Sequence, residues 1–278
     1  MSAETLAGKV VLVTGSTDGI GKETAFALAR RGATVILHGK DPGRCQRTLE
    51  EAQRQTRSRT LGCFAADLSS LHEVRKLAED ITAQYDRLDV LINNAGVFMT
   101  SRVLSADGYE MTFAVNHLAP FLLTHLLLER LKKSAPSRII MLGSVAHQRA
   151  RLDLDDLQGE KQFTGYGAYA LSKLGNVLFT YELAERLRGS GVAVLCLHPG
   201  VIGTKLLRGG FGGMSGGSVK QGADVVMHLA TAPELDSVSG RYFIERREGE
   251  PTPLAHDASL RRRFWDASAR LCGIGGGA

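Results

Sequence analysis

The sequence predicts a single doubly wound α/β domain, and three observations carry that expectation. Short runs that are apolar on both faces alternate with longer segments of helical period along most of the 278 residues. A glycine-rich turn, TGSTDGIG, follows the first of those runs and opens the first helical segment. The composition, 44% hydrophobic and 23% charged with no Pro/Ser-rich linker, gives no reason to divide residues 1–278 into two cores.

Strands buried on both faces and joined by helices call for a parallel sheet covered on each side, as in a Rossmann-type fold. In order, the elements are the strand VVLVT, a helix from about Gly19 to Arg31, the strand TVILHG, a polar helix through Gln55, the strand LGCFAAD and a helix from about Leu71 to Tyr85. DVLINNAG, a helix from about Gly108 to Leu131, RIIMLGS, a helix starting near Tyr169 and VAVLCLHPG continue the alternation. GRYFIE reads as the final strand, and residues 273–278 as a frayed tail.

The formal net charge of +5 is scattered among acids rather than gathered into an aromatic-interleaved patch. This argues against nucleic acid as a partner and favours a small anionic cofactor. Arg261, Arg262 and Arg263, beside Phe264 and Trp265, read as a solvated helix end. Cys45, Cys63, Cys196 and Cys272 stand far apart with no histidine at ligand spacing, so neither a metal site nor a disulfide framework is indicated. The N-terminus runs straight into a strand, and no later segment reads as apolar for about 18 residues. The expectation is a soluble, cytoplasmic protein with no integral membrane segment.

In the first turn, Gly15, Gly19 and Gly21 let the chain bend and bring the backbone close to a pyrophosphate. The following helix offers free N–H groups and a partial positive charge, with Ser16, Thr17, Asp18 and Ile20 completing the cofactor-facing turn. At the tip of the second strand an acid would hold the 2′-hydroxyl of NAD, whereas a cation can neutralise the 2′-phosphate of NADP. Here Gly39 is followed by Lys40, with Arg44 one turn on, which favours NADP(H) and leaves NAD(H) open. Asp41 can either cap the next helix or reach a ribose.

Tyr169 and Lys173 are four residues apart on one helix, so the phenol and ammonium project from one face. The ammonium is expected to favour the ionised phenol and bring it toward the range useful for acid/base work. Ser144, at the end of a strand, either joins that chemistry or caps the next turn. Asn116 either serves the site or relieves a kink before Pro120. Asp67 either faces the cofactor or starts a helix.

With TGSTDGIG, Asn93-Asn94-Ala95-Gly96, Ser144, Tyr169, Lys173 and Pro199-Gly200 in order, the chain resembles the short-chain dehydrogenase/reductase family. VNHLAPFLLTHLLLERL, GSVAH, LQGEK and AYALSKLGNVLFTYELAERL are similar to its retinol-dehydrogenase-like branch, which includes WW-domain oxidoreductase relatives. The resemblance implies hydride transfer between a nicotinamide and a carbonyl or alcohol carbon of a small molecule. Tyr169 would exchange the proton, Ser144 would bond the substrate oxygen, Lys173 would hold the nicotinamide ribose, and Asn116 would hold a water connecting Lys173 to solvent. Asp67 and Leu68 would meet the adenine; Asn94, Ala95 and Gly96 would border the cofactor. Pro199, Gly200, Val201 and Thr204 would lie at the nicotinamide, Val201 and Thr204 on its carboxamide.

Ser144 and Tyr169 are 25 residues apart, and the intervening 150–163 stretch, polar and acid-rich, is expected to be an excursion beside the site entrance. His117, His147 and His198 lie near the motifs without being required by the chemistry, and read as packing or surface residues. The glycine-rich segment 205–222 is expected to be a lid, whose Leu206, Leu207, Phe211 and Met214 suggest an apolar ligand. The resemblance also implies a homodimer or homotetramer, joined through the helices that begin near Gly108 and Tyr169. Two other readings are a non-catalytic NADP(H) sensor or scaffold and a sugar-nucleotide epimerase or dehydratase. The intact Ser144, Tyr169 and Lys173 set argues against the first, and the short C-terminal region against the second.

Overall fold

The computed structural model describes residues 5–210, 212 and 215–275. Its elements run β1 (Val10–Val13), α1 (Gly19–Arg30), β2 (Thr34–Gly39), α2 (Pro42–Thr56), β3 (Leu61–Ala65), α3 (Leu71–Gln84), β4 (Val90–Asn93), α4 (Met111–Phe113), α5 (Ala119–Lys133), β5 (Ser137–Leu142), α6 (Gly165–Arg186), β6 (Val192–His198), α7 (Lys205–Gly210), α8 (Val219–Thr231), β7 (Arg241–Ile244), β8 (Arg247–Glu248) and α9 (Ala258–Leu271). Among the described residues one sheet has the order β3-β2-β1-β4-β5-β6-β7-β8, parallel throughout except for the β7–β8 hairpin. The chain reverses its direction of winding at β1, between β2 and β4, and an open parallel sheet leaves a crevice beyond its strand ends at such a point. The strands are apolar on both faces because each face has its own core. α1 and α8 cover one, α3, α5, α6 and α9 the other.

Local chemistry sets the element ends. Asp18, Asp41, Ser70, Thr164 and Asp257 cap α1, α2, α3, α6 and α9 with their side chains. The predicted helix from Gly108 instead begins at Met111. Gly108 has φ +82° in the preceding turn, and the Glu110 carboxylate accepts from Thr112 N and Phe113 N at 2.9 and 2.7 Å. Between α4 and α5 the helix widens into a π turn, Ala114–Leu118, with Asn116 at its centre.

Several expectations change here. GRYFIE is followed by one more strand, β8. The 205–222 segment is a helix, α7, a connection and the first turn of α8, and Phe211 and Met214 lie outside the described residues. Residues 273 and 274 are a helix cap rather than a frayed end: Gly273 at φ +62° bonds Arg270 O, and Ile274 N reaches Ala269 O, while 276–278 lie outside the described residues. The 150–163 stretch docks on the 102–110 segment, with Arg102 Nε donating to Gln158 O and Glu110 N to Gln158 Oε1.

Met111–Lys133 is, contrary to the sequence expectation, long and apolar enough to cross a membrane by length and composition. Most of it is buried in the fold, as suits a core helix sealed by neighbours on several sides. One of those neighbours is α9. Trp265 lies 4.9 Å from Phe121 of α5, stacks on Phe179 of α6 at 5.5 Å and sits under the Arg186 guanidinium at 4.2 Å. Phe264 and Trp265 are thus packed into the core against α5 and α6, while Arg262 and Arg263 stay exposed on α9, the solvated run that the sequence suggested.

Candidate active site

The glycine turn is stitched to the β4 loop. Thr14 Oγ1 accepts from Asn94 N and Ala95 N at 3.0 and 3.1 Å, and Asn94 Nδ2 donates to Thr14 O at 2.8 Å. A side chain at Gly15, which has φ +64°, would meet Ala95 Cα at 2.9 Å, so glycine is required twice over. His38 supports the turn from β2. Gly15 N donates to its Nδ1 at 3.1 Å, which leaves the ring proton on Nε2 to donate to Ala66 O at 3.2 Å. Burial pulls this imidazole down to about 4, so it is neutral at physiological pH.

At the tip of β2, Lys40 pairs with Asp67 at 2.7 Å and Arg44 with Asp18 at 3.4 Å. Asp41 is committed to capping α2, accepting from Arg44 N at 2.7 Å. Asp67 does not cap a helix: it accepts from Ser69 N at 3.0 Å, and Ser70 starts α3. Gly39 has no room for a side chain, since a Cβ there would stand 3.0 Å from Thr17 Oγ1 and 3.2 Å from Cys45 Sγ.

The residues expected to react, Ser144, Tyr169 and Lys173, come from the end of β5 and from α6. Ser144 follows β5 and caps a short 3-10 turn, Val145–Arg149, by accepting from Ala146 N at 3.2 Å. Its hydroxyl also bonds the Tyr169 phenol. The two sequence readings of Ser144 are thus compatible. Tyr169 is 7% exposed, and burial pushes its phenol up to about 12 despite the Ser144 hydrogen bond. This reverses the expected direction. Lys173 Nζ lies 5.6 Å from the phenol ring centroid and donates to Leu142 O at 2.7 Å, so it stands over the ring and is anchored to β5. Burial lowers the Lys173 ammonium to about 8.

These residues share one cavity of about 1070 Å³. Of the residues expected at the site, Gly15, Thr17, Asp18, Gly19, Ile20, Gly21, Lys40, Arg44, Asp67, Leu68, Asn94, Ala95, Gly96, Ser144, Tyr169, Lys173, Pro199, Gly200, Val201 and Thr204 all line it. Ser16 and Asn116 do not. Ser16 is buried, with its hydroxyl accepting from His38 N at 2.8 Å. Asn116 is tied to Val97, accepting from its N–H at 2.8 Å and donating to its carbonyl at 3.0 Å. A Cβ on Gly96 would lie 3.4 Å from Asn116 Oδ1 and 3.8 Å from Lys173 Nζ, so the amide stands behind the glycine that faces the ammonium.

The start of α7, Lys205 to Leu207, borders one side of the cavity. Lys205 pairs with Asp18 at 2.6 Å, and Gly203 N and Gly217 N donate to Gly217 O and Val201 O, pinning the two ends of the connection together. Gly210 presses on Phe98 so closely that a Cβ would fall 2.6 Å from the ring, and Phe98 lies 5.6 Å from Tyr169. Sequence reading missed His38, Val145, Arg149 and Tyr166, all of which line the cavity. Only the position of Val145 and Arg149 just after Ser144 could have signalled two of them.

The arrangement fits a dinucleotide. A glycine turn at a helix N-terminus suits a pyrophosphate, cations stand at the strand tip, and the side-chain-free Gly96 opens space beside a buried ammonium. Comparison with known proteins agrees. The family model for short chain dehydrogenases matches residues 9–211. Human retinol dehydrogenase 13 is 44% identical over 98% of this chain and 87% of its own. Among solved structures, an uncharacterized protein from Mycobacterium paratuberculosis has a TM-score of 0.82 and 31% identity, covering 100% of this chain and 98% of its own. The NADP active-site complex of Pseudomonas aeruginosa RhlG has a TM-score of 0.71 and 27% identity over 86% and 95% of the two chains.

Proposed function

Because the chain belongs to the short-chain dehydrogenase family, in its retinol-dehydrogenase-like branch, we propose that it is an NADP(H)-dependent oxidoreductase acting on a small, apolar carbonyl or alcohol. The observation that carries this reading is the convergence of Ser144, Tyr169 and Lys173 on the cavity that also holds the glycine turn. The nicotinamide cofactor, when bound, supplies or accepts the hydride. Ser144 bonds the substrate oxygen where charge develops, and the protonated Tyr169 phenol donates to it in the reducing direction. Lys173 holds the ribose and adds a nearby positive charge.

Lys40 and Arg44 favour NADP(H) over NAD(H), since both line the cavity and the competing acid, Asp41, is engaged as a cap. Val145, Leu206 and Leu207, which line the cavity, make the substrate end apolar. The retinol dehydrogenases that the chain resembles make retinaldehyde a reasonable first probe. A phenol pushed up to about 12 is protonated at neutral pH, so reduction should run at pH 6–7, while oxidation of the alcohol should accelerate as the pH rises. Initial rates of retinaldehyde reduction and retinol oxidation between pH 6 and about 10 test this. No turnover with retinaldehyde or with a panel of simpler aldehydes would overturn the enzymatic reading.

A further inference from the structure

Two buried histidines stand behind the reacting groups, and each is joined on its far side to a C-terminal segment beyond the residues that the family model matches. The first is His147, in the middle of the turn that Ser144 opens. Thr252 N donates to its Nε2 at 3.2 Å, and because a backbone N–H can only donate, the ring proton sits on Nδ1. Nδ1 lies 2.6 Å from the Ser144 carbonyl and so donates to it.

The second is His117, in the π turn. Lys173 Nζ and Asn176 Nδ2 both donate to Leu142 O, at 2.7 and 3.3 Å. With its amide nitrogen turned to that carbonyl, Asn176 presents Oδ1 to His117 Nδ1 at 3.4 Å, and Nδ1 therefore carries the proton. Nε2 is left to accept from Ser268 Oγ of α9, 2.9 Å away. The hydroxyl also lies 2.9 Å from Phe264 O, but that carbonyl belongs to the helical ladder, whereas the imidazole lone pair has no other donor at hand. Gly175 makes room for the ring: a Cβ there would lie 2.8 Å from Nδ1.

We propose that the C-terminal segment is a positioning element of the active site, acting through His147 on the Ser144 backbone and through His117 and Asn176 on the carbonyl that anchors Lys173. The proposal rests on the reading of Ser144 and Lys173 as reacting groups. It makes His147, His117, Asn176, Thr252 and Ser268 positioning residues: none touches the substrate, but together they fix where the hydroxyl and the ammonium stand.

The test uses the full chain in matched pairs, Ser268→Ala with Ser268→Thr and His147→Phe with His147→Asn. The threonine keeps a hydroxyl, and the asparagine keeps a donor near the Nδ1 position. Readouts are steady-state reduction of 4-nitrobenzaldehyde by NADPH, melting temperature and hydrogen exchange across residues 142–149. Losing one such hydrogen bond should lower kcat roughly three- to tenfold, leave the aldehyde KM within about twofold and speed exchange in 142–149. The threonine and asparagine variants should recover most of the rate. Unchanged exchange, or a rate loss that merely follows melting temperature and is not rescued, would overturn the proposal. Should the wild-type chain leave the aldehyde untouched, the enzymatic reading fails by itself. Exchange alone then decides whether the C-terminal segment holds the site.

Discussion

At the catalytic end of the cavity Tyr169 and Lys173 are almost wholly buried, and a backbone carbonyl or a neighbouring hydroxyl fixes each of them. At the strand-tip end the Lys40 side chain is 73% exposed and held by an ion pair to Asp67. Burial moves the catalytic groups far from their ordinary protonation behaviour, whereas exposed pairs are screened and weakly held. On the proposed reading, chemistry is therefore built where changes are costly, and coenzyme choice where they are cheap.

The sharpest break of that comparison is Tyr169→Phe. It should lower kcat by about 10²–10⁴-fold while NADPH affinity, read by nicotinamide fluorescence, stays within about twofold. A variant with normal turnover would remove the phenol from the mechanism. Acid should expose the buried end next. Burial lowers His38, His117 and His198 to about 4, below the unfolded value. The unfolded chain takes up these protons as the pH falls below about 6.5, but the folded rings resist until about 4. The stability they contribute is thus present above pH 6.5 and lost toward pH 4, on the order of 3 kcal/mol per ring. Urea midpoints measured across that window would register it, and a flat profile would contradict the burial argument.

At the exposed end, Lys40→Asp should weaken NADPH binding roughly tenfold, about 1.4 kcal/mol, with little effect on NADH. Equal losses for both would mean that Lys40 does not read the 2′-phosphate. The smallest effect belongs to Asp67→Asn, which removes the Lys40 partner. Its cost in stability should stay below about 1 kcal/mol, and thermal melts would show whether this exposed pair matters more.

The sheet was legible because strands apolar on both faces have few alternatives in a chain of this pattern. The meeting of Ser144, Tyr169 and Lys173 with the glycine turn in one cavity was legible because their spacing already places them at strand ends and on one helix face. Other features depend on contacts that periodicity does not encode. His38 looks like a strand residue until Gly15 and Ala66 are brought to its two nitrogens. The expected lowering of the phenol by Lys173 did not appear because spacing along α6 says nothing of how deeply the fold buries the ring, and burial is what pushes the phenol up. α8 was hidden by the glycines that lead into it, and the packing of α9 by the three arginines beside its buried Phe264 and Trp265. Asn116 was found by its motif, but not its ties to Val97.

Gly39 also limits how this chain could change its diet of coenzyme. A carboxylate at that position, the direct way to grip a ribose hydroxyl, would have to displace Thr17 from the phosphate turn and crowd Cys45 on α2. On the proposed NADP preference, mutational paths toward NAD use would then pass through positions 40 and 44, whose side chains are held only by surface ion pairs to Asp67 and Asp18. A natural lineage or a laboratory selection would meet the same fork, and its survivors should carry their changes one residue past the strand rather than on it.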